Sequence, residues 1–479
     1  MNLVEPHIAS FFGLHLPPSV ALFLTVAFIV FLFRRDFREQ PNVTSALWLP
    51  VLWVLLIGSR SVAQWLHVFG VMSLGSVEEG SPLDALVYFS LIIAGLCVLN
   101  QRKVSLGEIC RENWWLMAFL LYCFIAILWS DFPFVAFKRW IKILGHPIMV
   151  LILFTEPDPG EALARLMKRS AYVLVTFSIL LIKYYPDIGR GFEPWTGLAM
   201  NIGIAQSKNM LGCLCLVLGF FFFWHFLRTW RSPRDTARRD ELRLVAAFLV
   251  MIGWLLWKAQ SATSVLSLLI GIVVMLLVER RWLNKKLIGT YAILAVVVLV
   301  ATELTFGIFE RVGDLSGHSS TIIGRVELWR DLLALHTNPI FGVGFESFWL
   351  GDRLANLWET RWWHPNEAHN GYLDIYLDLG LVGLFMLVGI IIATFHKIRL
   401  ELSRNLEWGQ FRLGLLIIVV VYNSTEATFK GLSLVWFVFY IIAMEYQNLQ
   451  VASKELSFEA IGSEEEMELA YFPDTVHNQ

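Results

Sequence analysis

Two short stretches of this chain concentrate the residue types that chemistry needs. One reads His364-Pro365-Asn366-Glu367-Ala368-His369-Asn370-Gly371-Tyr372-Leu373-Asp374. An imidazole titrates near neutral pH, so His369 could take a proton from a hydroxyl nucleophile. The plainer role for a lone histidine at a helix end is a hydrogen bond. The other stretch holds Arg325 and Trp329, followed by Asn338-Pro339-Ile340-Phe341-Gly342-Val343-Gly344. A guanidinium can hold phosphate oxygens in pairs and keeps its charge in a dry site. Arg139, Lys142, Lys208 and Lys258 stand at or inside the ends of apolar stretches, where charge is expensive. Each of them singly could simply snorkel to lipid phosphates. Together with Arg325 they suit a lipid-linked diphosphate.

These residues need a scaffold, and composition names its class. Of 479 residues, 57% are apolar or aromatic and 16% are charged. A soluble domain carries about 25% charged residues. The mean hydropathy is +0.61. Continuous apolar runs, rather than alternating ones, favour membrane helices over a membrane barrel. Candidate spans fall near 20–33, 46–57, 83–99, 114–129, 139–154, 171–183, 209–226, 243–257, 264–278, 287–304, 371–395, 411–423 and 432–446. Two of them are short, so an all-α polytopic bundle of about 11–13 transmembrane helices is expected.

Lys and Arg set the orientation. They crowd around Arg34, Arg102, Arg165, Arg228–Arg243, Arg280 and Lys397, in alternate loops, which makes that face cytoplasmic. The N-terminus then lies outside and the C-terminus inside, and residues 305–370 form one long non-cytoplasmic loop carrying short helices. Residues 1–304 precede it as transmembrane helices with short loops, and 371–446 follow as C-terminal transmembrane helices. Residues 447–479 are an acidic cytoplasmic tail in which seven acids face Lys454, expected to be mostly disordered. Within the loop, Val326, Trp329 and Leu333 recur at helical spacing, with Thr321 or Ser320 able to cap the start and Asn338-Pro339 to stop it. Trp349, Trp358, Trp362 and Trp363 suit a lipid–water boundary and could also stack on sugar rings.

Other classes are disfavoured. A net charge of −2 argues for no nucleic acid. All five cysteines lie in spans or on the cytoplasmic side, so neither a disulfide nor a metal site is expected. The first seventeen residues contain no Lys or Arg, so a cleaved signal peptide is not expected. No Walker-type phosphate loop occurs. No internal repeat and no broken helix is read from the pattern, which disfavours a transporter or flippase of lipid-linked sugars.

The two stretches resemble the bacterial O-antigen ligase and polysaccharide polymerase superfamily. His369-Asn370, nine residues, Gly380, two residues and Gly383 match its His-Asn…Gly-x-x-Gly pattern. Gly324-Arg325, Trp329 and Pro339-Ile340-Phe341-Gly342-Val343-Gly344 match a second pattern in the right order. Trp129-Ser130-Asp131 with Arg139, and Ser207-Lys208-Asn209, look like exopolysaccharide polymerases of the same superfamily.

The resemblance implies a GT-C-like, metal-independent inner-membrane glycosyltransferase without a cofactor, and it makes the long loop 305–370 periplasmic. Its donor would be an oligosaccharide on undecaprenyl diphosphate. Its acceptor would be a glycan or lipid-linked hydroxyl, and its neighbours membrane lipids and other polysaccharide-assembly proteins. His369 would be the base or would position the acceptor, and Arg325 would hold the leaving diphosphate. Arg139, Lys208, Asn209, Lys258, His364, Asn370, Tyr372 and Trp329 are the candidate substrate contacts. Ligases of the family carry an Arg just after a Ser at the start of a span. Here Lys258-Ala259-Gln260-Ser261-Ala262-Thr263-Ser264 has none. That leans the expectation from a lipid A–core ligase toward a repeat-unit polymerase.

Overall fold

The computed structural model describes residues 16–71, 80–192, 197, 199–280, 284–287, 319–335 and 337–446. The expected span near 287–304, the beginning of the long loop and the acidic tail fall outside the described residues. Among those described, nearly everything regular is helix. The exception is a two-stranded antiparallel ribbon, Arg190–Phe192 with Ala199–Asn201, in which Gly191 faces Met200. Helices satisfy their own backbone groups where no water is available.

Among the described residues, four helices are long and apolar enough to cross a bilayer: Pro82–Gln101, Lys208–Arg231, Thr236–Ala259 and Gly371–Arg404. Two bent pairs, Ser45–Ile57 with Val62–Val68 (58°) and Leu106–Glu112 with Trp114–Trp129 (101°), bring the number to six. The protein is therefore an all-α, multi-pass membrane protein. Several other expected spans are divided or short among the described residues. The stretch 139–154 is shared by Pro133–Ile143, which carries Lys138, Arg139 and Lys142, and Gly145–Phe154. The helix Leu434–Ala443 buries all ten of its residues. At about 1.5 Å per residue it is half the length a bilayer core needs. It is walled in by Gly145–Phe154, Lys208–Arg231, Gly371–Arg404 and Leu406–Tyr422.

The described part of the long loop, residues 319–335 and 337–370, is a folded cap. Its helices, Ser319–Ala334 and Gly351–Thr360, share a small core of Leu328, Leu332, Val343, Phe348 and Leu357 with Ala368 and Leu377. The buried face of the first helix differs from the expected one. Leu328, Trp329 and Leu332 pack, while Val326 and Leu333 are exposed. Arg325 lies one helical turn before Leu328 and Trp329, so it shares the packed face.

The helix Gly371–Arg404 is interrupted at Gly380 (φ 65°, ψ −164°), which corrects the expectation of unbroken helices. Only glycine adopts that conformation readily. The turn Pro339–Gly344 fills the break. Leu381 and Val382 donate their N–H groups to the carbonyls of Pro339 and Ile340 (2.9 and 3.1 Å). In return Val343 and Gly344 donate to the carbonyls of Leu377 and Asp378 (3.2 and 2.9 Å). A Cβ at Gly380 would lie 2.2 Å from the Ile340 oxygen. The two glycine-rich motifs are thus the two halves of one joint. Asp378 tightens it by accepting from the N–H groups of Ser347 and Phe348 (3.0 and 2.9 Å). Trp129 Nε1 donates to the Phe341 carbonyl (3.2 Å), and the Ser130 and Ser347 hydroxyls lie 2.6 Å apart.

Candidate active site

The segment bearing His369 is pinned from three sides. Asn370 caps the helix that follows, its Oδ1 accepting from the N–H groups of Tyr372 and Leu373 (both 3.1 Å). Asp374, one turn into that helix, accepts from the Ala368 N–H and from Trp349 Nε1 (both 3.1 Å) and pairs with Lys430. Trp329 Nε1 donates to the Ala368 carbonyl (2.7 Å). Tyr372 is tied by its hydroxyl to the Val420 carbonyl (3.0 Å). His369 itself holds a left-handed backbone (φ 49°). Such strain persists only where surrounding bonds over-determine it.

The pinned imidazole faces a carboxylate that the sequence reading did not name. Glu426, 5% exposed, sits just beyond the helix Leu406–Tyr422. Its Oε1 accepts from Arg325 Nη2 (3.2 Å) and from Asn209 Nδ2 (3.0 Å). Arg325 Nη1 also donates to the Thr425 carbonyl (2.7 Å). His369 Nδ1 lies 3.0 Å from Glu367 Oε1 and 3.7 Å from Glu426 Oε2. Two family-type motifs and the start of the helix Lys208–Arg231 therefore converge on one buried carboxylate.

The electrostatics follow from this packing. Burial alone would lower the His369 pKa, but the carboxylates of Glu367 and Glu426 outweigh it and raise the pKa to about 9. Burial would raise Glu367, yet His369, Lys430 and Arg325 hold it below the usual carboxylate range. His369 is thereby held as an imidazolium at neutral pH between the two carboxylates. Glu367, His369 and Glu426 also present ligand atoms within 4.8 Å of one another, a spacing that could hold a metal ion. Arg325 and Asn209 already occupy one Glu426 oxygen.

Arg139 joins a neighbouring cavity of about 580 Å³, with Glu346, Trp349, Trp358, His364 and Asn366 among its walls. Arg139 Nη1 donates to the Glu346 carbonyl (2.5 Å), and Glu346 Oε1 accepts from the Gly431 N–H (2.5 Å). His364 stacks on Trp358, with centroids 5.0 Å apart. Lys208 opens the helix that presents Asn209 to Glu426. Lys258 is engaged elsewhere, its ammonium over the rings of Trp257 and Trp254 (4.4 and 5.9 Å). In the segment without the expected Arg, the Thr263 hydroxyl meets that of Thr425 (2.9 Å).

Sequence reasoning missed Glu367, Asp374, Glu426 and Lys430. Glu367 stood inside the quoted motif. Glu426 carried a signal as well, being an acid directly after an apolar span, where ionisable groups are rarely idle.

The fold and site define a polytopic all-α membrane protein with a cap that closes one helix end over a charged cluster. A family model described as O-antigen ligase matches residues 245–388, which contain both Arg325 and His369. The chain is 26% identical over 330 residues to the exopolysaccharide production protein ExoQ of Rhizobium meliloti (strain 1021), covering 65% of this chain and 71% of that one. It is 27% identical over 337 residues to an uncharacterized protein of Haemophilus influenzae, covering 65% and 79%. The similarity of the chain is thus to the O-antigen ligase family, over the segment that carries Arg325 and His369, and to an exopolysaccharide production protein over about two thirds of its length.

Proposed function

We propose that the protein is a metal-independent glycosyltransferase of the bacterial inner membrane. It would lengthen an exopolysaccharide or O-antigen, using repeat units carried on undecaprenyl diphosphate. The site faces the periplasm and the C-terminus the cytoplasm. The observation that carries this reading is the convergence of Arg325, His369 and Asn209 on the buried Glu426.

In this scheme the acceptor hydroxyl attacks the anomeric carbon. The carbon–oxygen bond to the diphosphate breaks, and the diphosphate leaves with the electron pair. Arg325 holds that developing charge, and Lys208, which precedes Asn209 in the chain, adds a second cation on that helix end. With its pKa raised to about 9, His369 is an imidazolium at neutral pH. It therefore positions the reactants and neutralises charge, and the hydroxyl proton passes to a carboxylate of the Glu367–Glu426 pair. Asn370, Tyr372 and Trp329 keep the His369 segment in place.

A polymerase is favoured over a lipid A–core ligase by the similarity to an exopolysaccharide production protein and by the missing Arg near Ser261. The break at Gly380 is the feature a transporter would use, but the Pro339–Gly344 turn fills it. The test is chain lengthening of an undecaprenyl-diphosphate-linked repeat by the purified protein, alongside His369→Ala and Arg325→Ala. Full activity in both variants rejects the site. Transbilayer movement of the donor without lengthening rejects the enzyme.

A further inference from the structure

We infer that the cavity beside Arg139 is the subsite for the acceptor sugar, a neutral glycan end. This rests on the reading above and adds to it where the second substrate sits. The cavity, about 580 Å³, falls in the range of small-ligand sites. Two of its walls are indole rings whose N–H groups are already used. Trp358 Nε1 donates to the Pro365 carbonyl (2.9 Å) and Trp349 Nε1 to Asp374 (3.1 Å). His364 stacks on one face of Trp358 and the Lys430 ammonium lies 5.8 Å over Trp349, so what the rings offer a ligand is the apolar surface left on the cavity side, which fits the C–H face of a pyranose.

The rest of the lining is hydrogen-bonding. Asn366 and His364 are exposed at the cap edge. Lys430 is neutralised by its pair with Asp374 behind the wall, and Arg139 has Glu346 beside it, its Nη1 on the Glu346 carbonyl. A balanced set of donors and acceptors suits hydroxyl groups. A diphosphate calls for a surplus of positive charge.

Position completes the argument. Asn366 lines the cavity, and the next residue, Glu367, belongs to the His369 cluster. Ala427 lines it too, and the preceding residue, Glu426, is the hub of that cluster. Adjacent Cα atoms are about 3.8 Å apart. A sugar seated on the Trp358 side thus presents its hydroxyl at the wall shared with the carboxylates that would take its proton.

The test uses the full-length protein in nanodiscs and two probes. A panel of neutral gluco-, galacto- and manno-configured disaccharides is followed by saturation-transfer NMR, and inorganic pyrophosphate by calorimetry. At least one disaccharide is expected to bind saturably. Asn366→Ala and Trp358→Ala should each weaken it by about tenfold, the worth of one good polar or stacking contact. Trp358→Phe should recover part of the loss. Arg325→Ala should leave sugar binding intact and weaken pyrophosphate.

The assignment is overturned if no disaccharide binds, or if Asn366→Ala weakens pyrophosphate instead. It is also overturned if pyrophosphate displaces the sugar. Because Asn366 is exposed, its variant separates loss of contact from loss of fold. Saturable sugar binding in a protein that lengthens no donor would leave the subsite standing and reject the polymerase reading.

Discussion

Two charged clusters stand at opposite ends of the helices, and they differ in what surrounds them. At the end remote from the cap, Asp36 accepts from Arg165 and Arg169 (both 2.8 Å), and Arg165 also reaches Glu39 and Glu161 (2.6 and 3.0 Å). Lys168 and His225 both meet Glu241 (2.8 and 2.9 Å). These side chains come from helices Pro18–Arg38, Pro159–Tyr184, Lys208–Arg231 and Thr236–Ala259, with Glu39 as a helix cap. The network is a strut between helices. A cavity of about 640 Å³ borders it too, so neither charge nor a cavity marks a site by itself.

At the cap end, Glu346, Glu367, His369, Glu426 and Lys430 sit on segments between helices while Arg325 comes from within one, and part of the backbone is strained. Glu346, His364 and His369 all hold positive φ. Indole faces line the adjoining cavity. The cap end thus combines strain at the clustered residues themselves with a cavity that has both flat apolar and polar walls, and this combination is what the proposed site rests on; at the remote end the left-handed residue is Gln40, beside the network rather than in it.

The contrast breaks first under substitution. Glu426→Ala should cost at least about a hundredfold in chain lengthening, the scale seen when a group acting at the transition state is removed. Thermal unfolding should remain cooperative. Arg165→Ala should do the reverse, because it leaves Asp36 buried with one partner fewer. A loss of about 3–5 kcal/mol is expected from denaturant unfolding, with normal turnover in the folded fraction. Activity loss in Arg165→Ala at unchanged stability would erase the distinction.

A second experiment titrates His369. Its folded pKa, raised to about 9, lies above the ordinary value of 6.5. The stability it contributes is full below the unfolded value and is lost as pH rises through 9. If the imidazolium is the working form, the lengthening rate should fall about tenfold per pH unit above 9. A rate that climbs through pH 9 would instead make the neutral imidazole the base.

Gly380→Ala probes the joint. The new Cβ would meet the Ile340 oxygen at 2.2 Å in a left-handed conformation. A loss of about 1–3 kcal/mol is expected, read as faster proteolysis within residues 337–350. The smallest expected effect is that of EDTA, which should change lengthening by less than about twofold if no metal supplies Lewis acidity. A large loss, restored by a divalent ion, would turn the Glu367–His369–Glu426 spacing into a metal site.

The sequence carried the membrane class and the two motifs plainly, because hydropathy and short-range spacing are local. What it did not carry is pairing across distance. Arg325 and Glu426 are 101 residues apart, and nothing local to either names the other. The break at Gly380 was hidden for a related reason. Leu379, Leu381 and Val382 continue the apolar pattern across it, and only the incoming Pro339–Gly344 turn reveals why the helix opens there. Arg139 was expected at the outer end of a span, and it lies inside the helix Pro133–Ile143. Its place in a separate cavity depends on Glu346, in a cap whose position the sequence does not encode locally.

The most direct test is the rate at which the purified protein lengthens an undecaprenyl-diphosphate-linked repeat, with Arg325→Ala compared at equal folded concentration. Lengthening by the native protein and a drop of at least about a hundredfold in the variant is the expected result. Equal rates in the two proteins would contradict it.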